Sequence, residues 1–95
     1  MRRRYLFTYD VSDDKRRALV FKTLRDFGDH AQYSVFFCEL TDRELATLKA
    51  KLDGAVHHDD DQVLILDLGP QAEPLERGLQ AVGRGYDPPS RVVVV

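Results

Sequence analysis

One carboxylate at the end of an aromatic strand, followed by a cationic helix start, is the part of this chain best suited to chemistry. Residues 4–10 alternate like a β-strand and end at Asp10, and the helix start that follows opens with Lys15, Arg16 and Arg17. A strand-end carboxylate can bind a divalent metal, and a helix N-terminus with cations beside it can bind phosphate. Because nucleic-acid chemistry pairs a metal with a phosphate, this segment predicts such chemistry.

Charge is distributed unevenly along the chain. The net charge is -2, yet residues 1–28 hold eight Lys or Arg against four Asp or Glu, whereas residues 29–95 hold six against twelve. A basic N-terminal third on an acidic body allows a local footprint for nucleic acid, and the alternative is a solvated charged surface. The cations that would line a duplex track are Arg2, Arg3, Arg4, Lys15, Arg16, Arg17, Lys22 and Arg25, with Arg77, Arg84 and Arg91 as weaker candidates.

Length and composition exclude several classes of protein. The 95 residues predict one domain, spanning 1–95, and a hydrophobic share of 43% is enough for a single core. No apolar run approaches the roughly 20 residues of a membrane span, so no membrane role is expected. The single cysteine, Cys38, rules out an internal disulfide, fits a reducing cytoplasm and is expected to pack in the core.

Two helices are predicted from capping signals and periodicity. Ser12 is expected to cap the first helix, which runs to about Phe27 and presents cations on its outer face. The second helix begins with a capping box formed by Thr41 and Glu44, and Gly54 is expected to end it.

The remaining apolar segments predict strands around these helices. Residues 30–40 form either one strand or a short bent hairpin around 32–34, and residues 63–68 form a buried strand. Residues 71–90 are weakly patterned. The resulting order, β-α-β-β-α-β with an extra C-terminal strand, predicts an α+β ferredoxin-like sandwich with one antiparallel sheet and both helices on one face.

The C-terminal strand, at about residues 91–95, contains four consecutive valines. Such β-branched residues at a free sheet edge promote aggregation unless they pair with another strand. Two arrangements remain open. The strand either adds to the sheet of a second copy of the chain, as a swapped strand, or pairs within its own sheet.

Two further groups have functional residue types but are interpreted as structural. The run at 57–61, His-His-Asp-Asp-Asp, lacks the helical spacing of metal ligands and predicts a solvated loop. The aromatic residues Tyr5, Phe7, Tyr33 and Phe36 could stack on bases, but helices on one sheet face and a partner on the other make the core their expected location.

Three blocks of sequence resemble the CRISPR-associated Cas2 family. They are residues 9–17 (Tyr-Asp-Val-Ser-Asp-Asp-Lys-Arg-Arg), 32–36 (Gln-Tyr-Ser-Val-Phe) and 38–40 (Cys-Glu-Leu). The first block matches the family's strand-end aspartate, acidic turn and basic helix start, and the second matches its Gln-x-Ser-Val-Phe strand. The resemblance covers residues 4–68 and implies a ferredoxin-like homodimer that acts in spacer acquisition in the prokaryotic cytoplasm.

The resemblance also implies roles for the site residues. Asp10 would be the catalytic, metal-binding carboxylate, facing its copy across the dimer axis. Tyr9 and Ser12 would flank it, and Arg16 and Arg17 would contact phosphate. One carboxylate is a poor Mg²⁺ site by itself, so the two copies of Asp10 would share one ion. Judged from the residues alone, Asp10 could instead simply start the turn before the helix.

Two functions of different class follow from the resemblance. One is a Mg²⁺-dependent endonuclease that hydrolyses phosphodiester bonds in RNA or double-stranded DNA. The other is a non-catalytic hub that holds duplex DNA beside the CRISPR integrase. A ferredoxin-like RNA-binding protein or toxin-type ribonuclease outside CRISPR systems is a third alternative.

Overall fold

The structure is a computed structural model that describes residues 1–71 and 73–86. The C-terminal strand expected at 91–95, its swapped or internal pairing, and Arg91 therefore lie outside the described residues. The elements are β1 (Arg3–Asp10), α1 (Asp14–Arg25), β2 (Asp29–Gln32), β3 (Val35–Leu40), α2 (Asp42–Ala55), β4 (Gln62–Pro70) and α3 (Leu75–Gly78).

The four strands form one antiparallel sheet in the order β2-β3-β1-β4. This order and the succession of elements are those of a ferredoxin-like sandwich, so the predicted fold class is confirmed. Among residues 1–71 and 73–86, no helix combines the length and hydropathy needed to cross a bilayer.

The core lies between the sheet and the helices α1 and α2. β1 is a central strand, and its alternation turns Tyr5, Phe7 and Tyr9 towards the helices, where all three are buried. The helices and β3 complete this core with Val20, Leu24, Phe36, Cys38, Leu40, Leu48, Leu52 and Ala55. Cys38 is buried as predicted, and its burial raises the pKa of the thiol to about 12, so the thiol stays protonated and unreactive.

The first helix starts later and ends earlier than its sequence signals suggest. Asp13, and not Ser12, is the N-cap, because its carboxylate accepts the Arg16 backbone N–H at 2.9 Å. The helix ends at Arg25, two residues before the predicted Phe27.

The second helix confirms its predicted start but not its predicted end. The Thr41 hydroxyl accepts the Glu44 N–H at 3.2 Å, and the Glu44 carboxylate accepts the Thr41 N–H at 2.9 Å, which is a complete capping box. Gly54 lies inside the helix, which continues to Ala55 because that residue is buried against the core.

Residues 30–40 adopt the hairpin alternative, with β2 and β3 joined by a turn at Tyr33 and Ser34. The turn explains one wrong prediction. Tyr33 was expected in the core, yet it is 94% exposed because it lies at the hairpin tip.

The prediction of a buried strand at 63–68 is wrong for the single chain. β4 is an edge strand next to β1, and Leu64, Leu66 and Leu68 are 53%, 57% and 44% exposed. The helices α1 and α2 cover one face of the sheet, so the side chains of β4 that alternate to the other face stay open. Leu64 and Leu66 are the exposed part of this surface, hereafter the open sheet face. Leu6 and Phe37 belong to the same face but are half-buried, and Phe37 packs on Tyr86 with ring centroids 6.4 Å apart.

Candidate functional site

Asp10 is the last residue of β1 and is exposed. It pairs with Gln62 at the start of β4, and the strand alternation places it on the same side of the sheet as Leu6. The next residue, Val11, is buried and anchors the chain immediately after the carboxylate. Asp10 therefore presents its carboxylate at one end of the open sheet face.

Tyr9 and Ser12 flank Asp10 in sequence but lie in different surroundings. Tyr9 points to the helix side of the sheet, where its hydroxyl donates to the Tyr33 carbonyl at 3.4 Å and burial raises its pKa. Ser12 is exposed, and its backbone N–H donates to an Asp61 carboxylate oxygen at 3.4 Å. Tyr9 thus supports the hairpin tip, whereas Ser12 belongs to the connection that carries Asp10.

Asp61 is the residue of this region that sequence reasoning missed. Its side chain has an exposed fraction of 0% and accepts from Arg16 Nε at 2.7 Å and Nη2 at 3.3 Å. The His57 N–H also donates to it, at 2.8 Å. The solvated-loop prediction suits the neighbouring exposed residues His58, Asp59 and Asp60, but it is wrong for Asp61.

The two arginines at the start of α1 make contacts within the chain. Arg16 forms the two hydrogen bonds to Asp61. Arg17 donates to the Val11 carbonyl at 3.0 Å and forms an ion pair with Asp14 one turn away. Both guanidinium groups therefore brace the connection between β1 and α1.

The three arginines at the N-terminus lie at the other end of β1. Arg2 pairs with Glu44 at 2.8 Å, Arg3 with Asp67 at 3.1 Å, and Arg4 with Glu39 at 2.8 Å. A strand rises about 3.3 Å per residue, so Arg3 lies roughly 23 Å from Asp10 along β1. The structure thus separates these arginines from the carboxylate with which the sequence grouped them.

Three of the predicted cations remain available on the surface. Lys15, Lys22 and Arg25 lie on α1, are exposed and form no ion pair within residues 1–71 and 73–86. Arg77 and Arg84, the weaker candidates, are exposed in and after α3. The exposed face of α1 is therefore the part of the predicted cationic track that could contact phosphate directly.

The side chains near Asp10 do not complete a metal site within one chain. Among the residues that the structure describes, no group of three or more His, Cys, Asp or Glu is arranged to bind a metal ion. Asp61 lies against the same connection, but its two oxygens already accept hydrogen bonds from Arg16, Ser12 and His57. Since Mg²⁺ prefers six oxygen ligands, Asp10 needs oxygen atoms from elsewhere, whether water, substrate or a second chain.

Acid should weaken the fold through Asp61. The hydrogen bond from Arg16, together with those from the His57 and Ser12 N–H groups, lowers the pKa of Asp61 from 3.8 to about 2. Its stabilising contribution is therefore complete above the unfolded-state pKa and is lost as the pH falls from about 4 towards 2. Urea unfolding across this range should show a shallower pH dependence for Asp61→Asn than for the wild type. The exposed loop variant Asp59→Asn should match the wild type, and equal slopes for all three proteins would contradict the assignment.

Comparison with known proteins identifies a family and relatives of similar sequence. The family model for CRISPR associated protein Cas2 matches residues 1–73. A protein of Geobacter sulfurreducens named CRISPR-associated endoribonuclease Cas2 is 37% identical over 91 residues, which is 96% of this chain and 95% of the relative. One of the same name from Thermus thermophilus is 44% identical over 73 residues, 76% of this chain and 78% of that protein.

A solved structure with a similar fold comes from the same family as the sequence relatives. The crystal structure of Streptococcus pyogenes Cas2 matches with a TM-score of 0.73 and 29% identity, and the match covers 84% of this chain and 99% of that chain. Because both the family model and the relatives span most of its length, this chain belongs to the CRISPR-associated Cas2 family.

Proposed function

We propose that this chain is a metal-dependent endonuclease of CRISPR spacer acquisition, which hydrolyses phosphodiester bonds in RNA or duplex DNA in the prokaryotic cytoplasm. The observation that carries the proposal is the exposed Asp10 carboxylate at the end of β1, on the uncovered side of the sheet. The names of the relatives, CRISPR-associated endoribonucleases at 37% and 44% identity, support cleavage of RNA in particular.

A homodimer completes the site in this proposal. The open sheet face is apolar, and Leu64 and Leu66 are each more than half exposed. A two-fold contact between two such faces would bury both leucines in each subunit. With a two-fold axis along the direction of β1, both copies of Asp10 would lie at the same end of the contact, and the second carboxylate would supply the ligand that a single chain lacks.

The proposal gives the other residues of the region distinct tasks. Mg²⁺, held by the Asp10 carboxylates, would supply a bound water of lowered pKa and stabilise charge on the phosphate. Lys15, Lys22 and Arg25 would bind the substrate backbone from the exposed face of α1 through salt-sensitive contacts. Arg17 would hold the connection after Asp10 through its bond to the Val11 carbonyl.

A non-catalytic hub is the second candidate, and one observation favours it. In the described part of the chain, Asp10 does not belong to a group of three or more His, Cys, Asp or Glu that could bind a metal ion. Exposed cations, by contrast, are present along α1. In this alternative the dimer binds duplex DNA and the CRISPR integrase, and the Asp10 carboxylate has no catalytic role.

Cleavage assays on Asp10→Ala test the nuclease proposal. End-labelled duplex DNA and single-stranded RNA would be incubated with the purified protein in Mg²⁺ and in chelator. We expect Mg²⁺-dependent cleavage whose rate falls at least about 100-fold in the variant, because even outer-shell changes at metal sites cost 10- to 100-fold.

The matched control for this assay is Asp59→Ala, which removes an exposed carboxylate from the loop before β4. Its cleavage rate should equal that of the wild type. Undiminished cleavage by Asp10→Ala would contradict the proposed role of Asp10. Absence of cleavage by the wild type, together with duplex binding that weakens as salt is raised, would favour the hub.

A further inference from the structure

The enclosed carboxylate of Asp61 has no task in the activity proposed so far. Asp61 directly precedes β4, and the first residue of that strand, Gln62, pairs with Asp10. This register places Asp61 beside the connection that leads from Asp10 into α1. An aspartate whose side chain has an exposed fraction of 0%, next to a candidate catalytic carboxylate, requires a physical explanation.

The hydrogen bonds of Asp61 join three segments of the chain. Oδ1 accepts from the Ser12 N–H at 3.4 Å and from Arg16 Nη2 at 3.3 Å. Oδ2 accepts from Arg16 Nε at 2.7 Å and from the His57 N–H at 2.8 Å. Asp61 thereby ties the end of α2, the connection after Asp10 and the first turn of α1 to one another.

The hydrogen bonds of Asp61 hold a part of the backbone that the sheet itself does not hold. Asp10 is the last residue of β1 to pair with β4, so the backbone after it has no strand partner. Val11 is held by burial and by Arg17, and Ser12 is held through Asp61. A displacement of about 1 Å can lower a catalytic rate roughly 100-fold, so the rigidity of this short connection bears directly on the carboxylate.

We propose that Asp61 is a positioning residue for Asp10, acting through the Ser12 backbone and the Arg16 guanidinium; this inference rests on the nuclease function proposed above. It also assigns Arg16 to the brace and not to phosphate contact. Withdrawing Arg16 towards a phosphate would leave the enclosed carboxylate of Asp61 without its charged partner, which is unfavourable. Phosphate contact then falls to the exposed Lys15, Lys22 and Arg25.

Steady-state kinetics on two single variants, their double variant and one control test this proposal. Asp61→Asn removes the charge of the brace, and Arg16→Lys keeps the positive charge but cannot form two parallel hydrogen bonds. We expect each to lower kcat by about 10- to 100-fold with little change in KM. The double variant should be no slower than the slower single variant, because the two residues act as one unit. Asp59→Asn, the same change at an exposed position of the loop, should leave kcat unchanged.

Two kinetic outcomes would overturn the proposal. One is a kcat for Asp61→Asn equal to that of Asp59→Asn. The other is an Arg16→Lys variant that raises KM or weakens nucleic-acid binding while kcat stays constant, which would identify Arg16 as a substrate contact. A pure folding defect is recognised by urea unfolding. If Asp61→Asn does not fold, Arg16→Lys carries the same measurements.

A separate measurement keeps this inference distinct from the proposed function. If the wild type shows no cleavage that depends on Asp10, the proposed function fails, and the positioning role is judged by NMR. The backbone order parameters of Asp10 and Ser12 should drop from the rigid value of about 0.85 to below about 0.6 in Asp61→Asn. They should stay unchanged in Asp59→Asn. Equal order parameters in the two variants would overturn the positioning role.

Discussion

We expect the Leu66→Glu variant to be a monomer and to have lost its nuclease activity. Leu66 is 57% exposed at the centre of the open sheet face, opposite Leu6 on β1. Leu66 is present twice in a two-fold dimer, and burying its remaining 57% contributes about 1.3 kcal/mol per copy, or about 2.5 kcal/mol per dimer. Losing this contribution weakens association roughly 70-fold, and burial of the two new Glu carboxylates weakens it further.

Sedimentation and cleavage measured at the same protein concentration check this prediction. The wild type should sediment at twice the chain mass of 10.9 kDa and the variant at the chain mass. The matched control is Leu19→Glu, because Leu19 is a 49% exposed leucine on α1, in the helix layer. That control should remain dimeric, although its new carboxylate lies one turn from Lys15 and Lys22 and should weaken substrate binding. A Leu66→Glu protein that is still dimeric would show that the open sheet face is not the dimer contact.

The strand that ends at Asp10 illustrates what a sequence can predict about this fold. The alternation of Tyr5, Phe7 and Tyr9 is a local signal, and the structure buries all three side chains on the helix side. The capping box of Thr41 and Glu44 is equally local, and both of its hydrogen bonds are present. Local signals of this kind predict the order of the helices and strands along the chain. That order leaves only a few possible arrangements of the strands in the sheet.

The brace at Asp61 could not be predicted in the same way. Arg16 and Asp61 are separated by 45 residues, and the pairing depends on how the loop before β4 meets the start of α1. Within the sequence, Asp61 is one of three consecutive aspartates, and its two neighbours are exposed. The pattern of residue types cannot show which one will be enclosed, because tertiary packing decides it.

The apolar strand β4 shows a second limit. Its run of Val, Leu and Ile predicts that the strand is removed from water. The run does not show whether a helix of the same chain or a second chain covers it. In the single chain the helices cover only the other side of the sheet, and Leu64 and Leu66 stay exposed. A sequence signal for burial therefore fits either a core or an interface between chains.

Gly28→Ala is expected to destabilise the fold by about 3 kcal/mol, near the upper end of overpacking effects. A Cβ atom at this position would lie 2.4 Å from the sulfur of Cys38 and 2.5 Å from the carbonyl oxygen of Phe37. The sulfur belongs to a side chain with an exposed fraction of 0%, and the oxygen belongs to the backbone of a strand, so neither can move freely. Gly28 is thus needed because β3 approaches it closely and not because of a left-handed backbone, which Gly69 and Gly83 have.

Thermal unfolding measures this effect when both proteins are at the same concentration, because the contribution of dimer dissociation to the Tm is then the same for each. A loss of about 3 kcal/mol should lower the Tm of a chain of this size by roughly 15 °C. Gly54→Ala is the matched control. Gly54 lies inside α2 with nothing within 4 Å of an added Cβ, so the same change should raise stability by about 0.5–1 kcal/mol through helix propensity. A Gly28→Ala protein that unfolds at the wild-type temperature would show that β3 can move away from residue 28 at little cost. The tight contact of Gly28 with Cys38 and Phe37 would then not be a determinant of this fold.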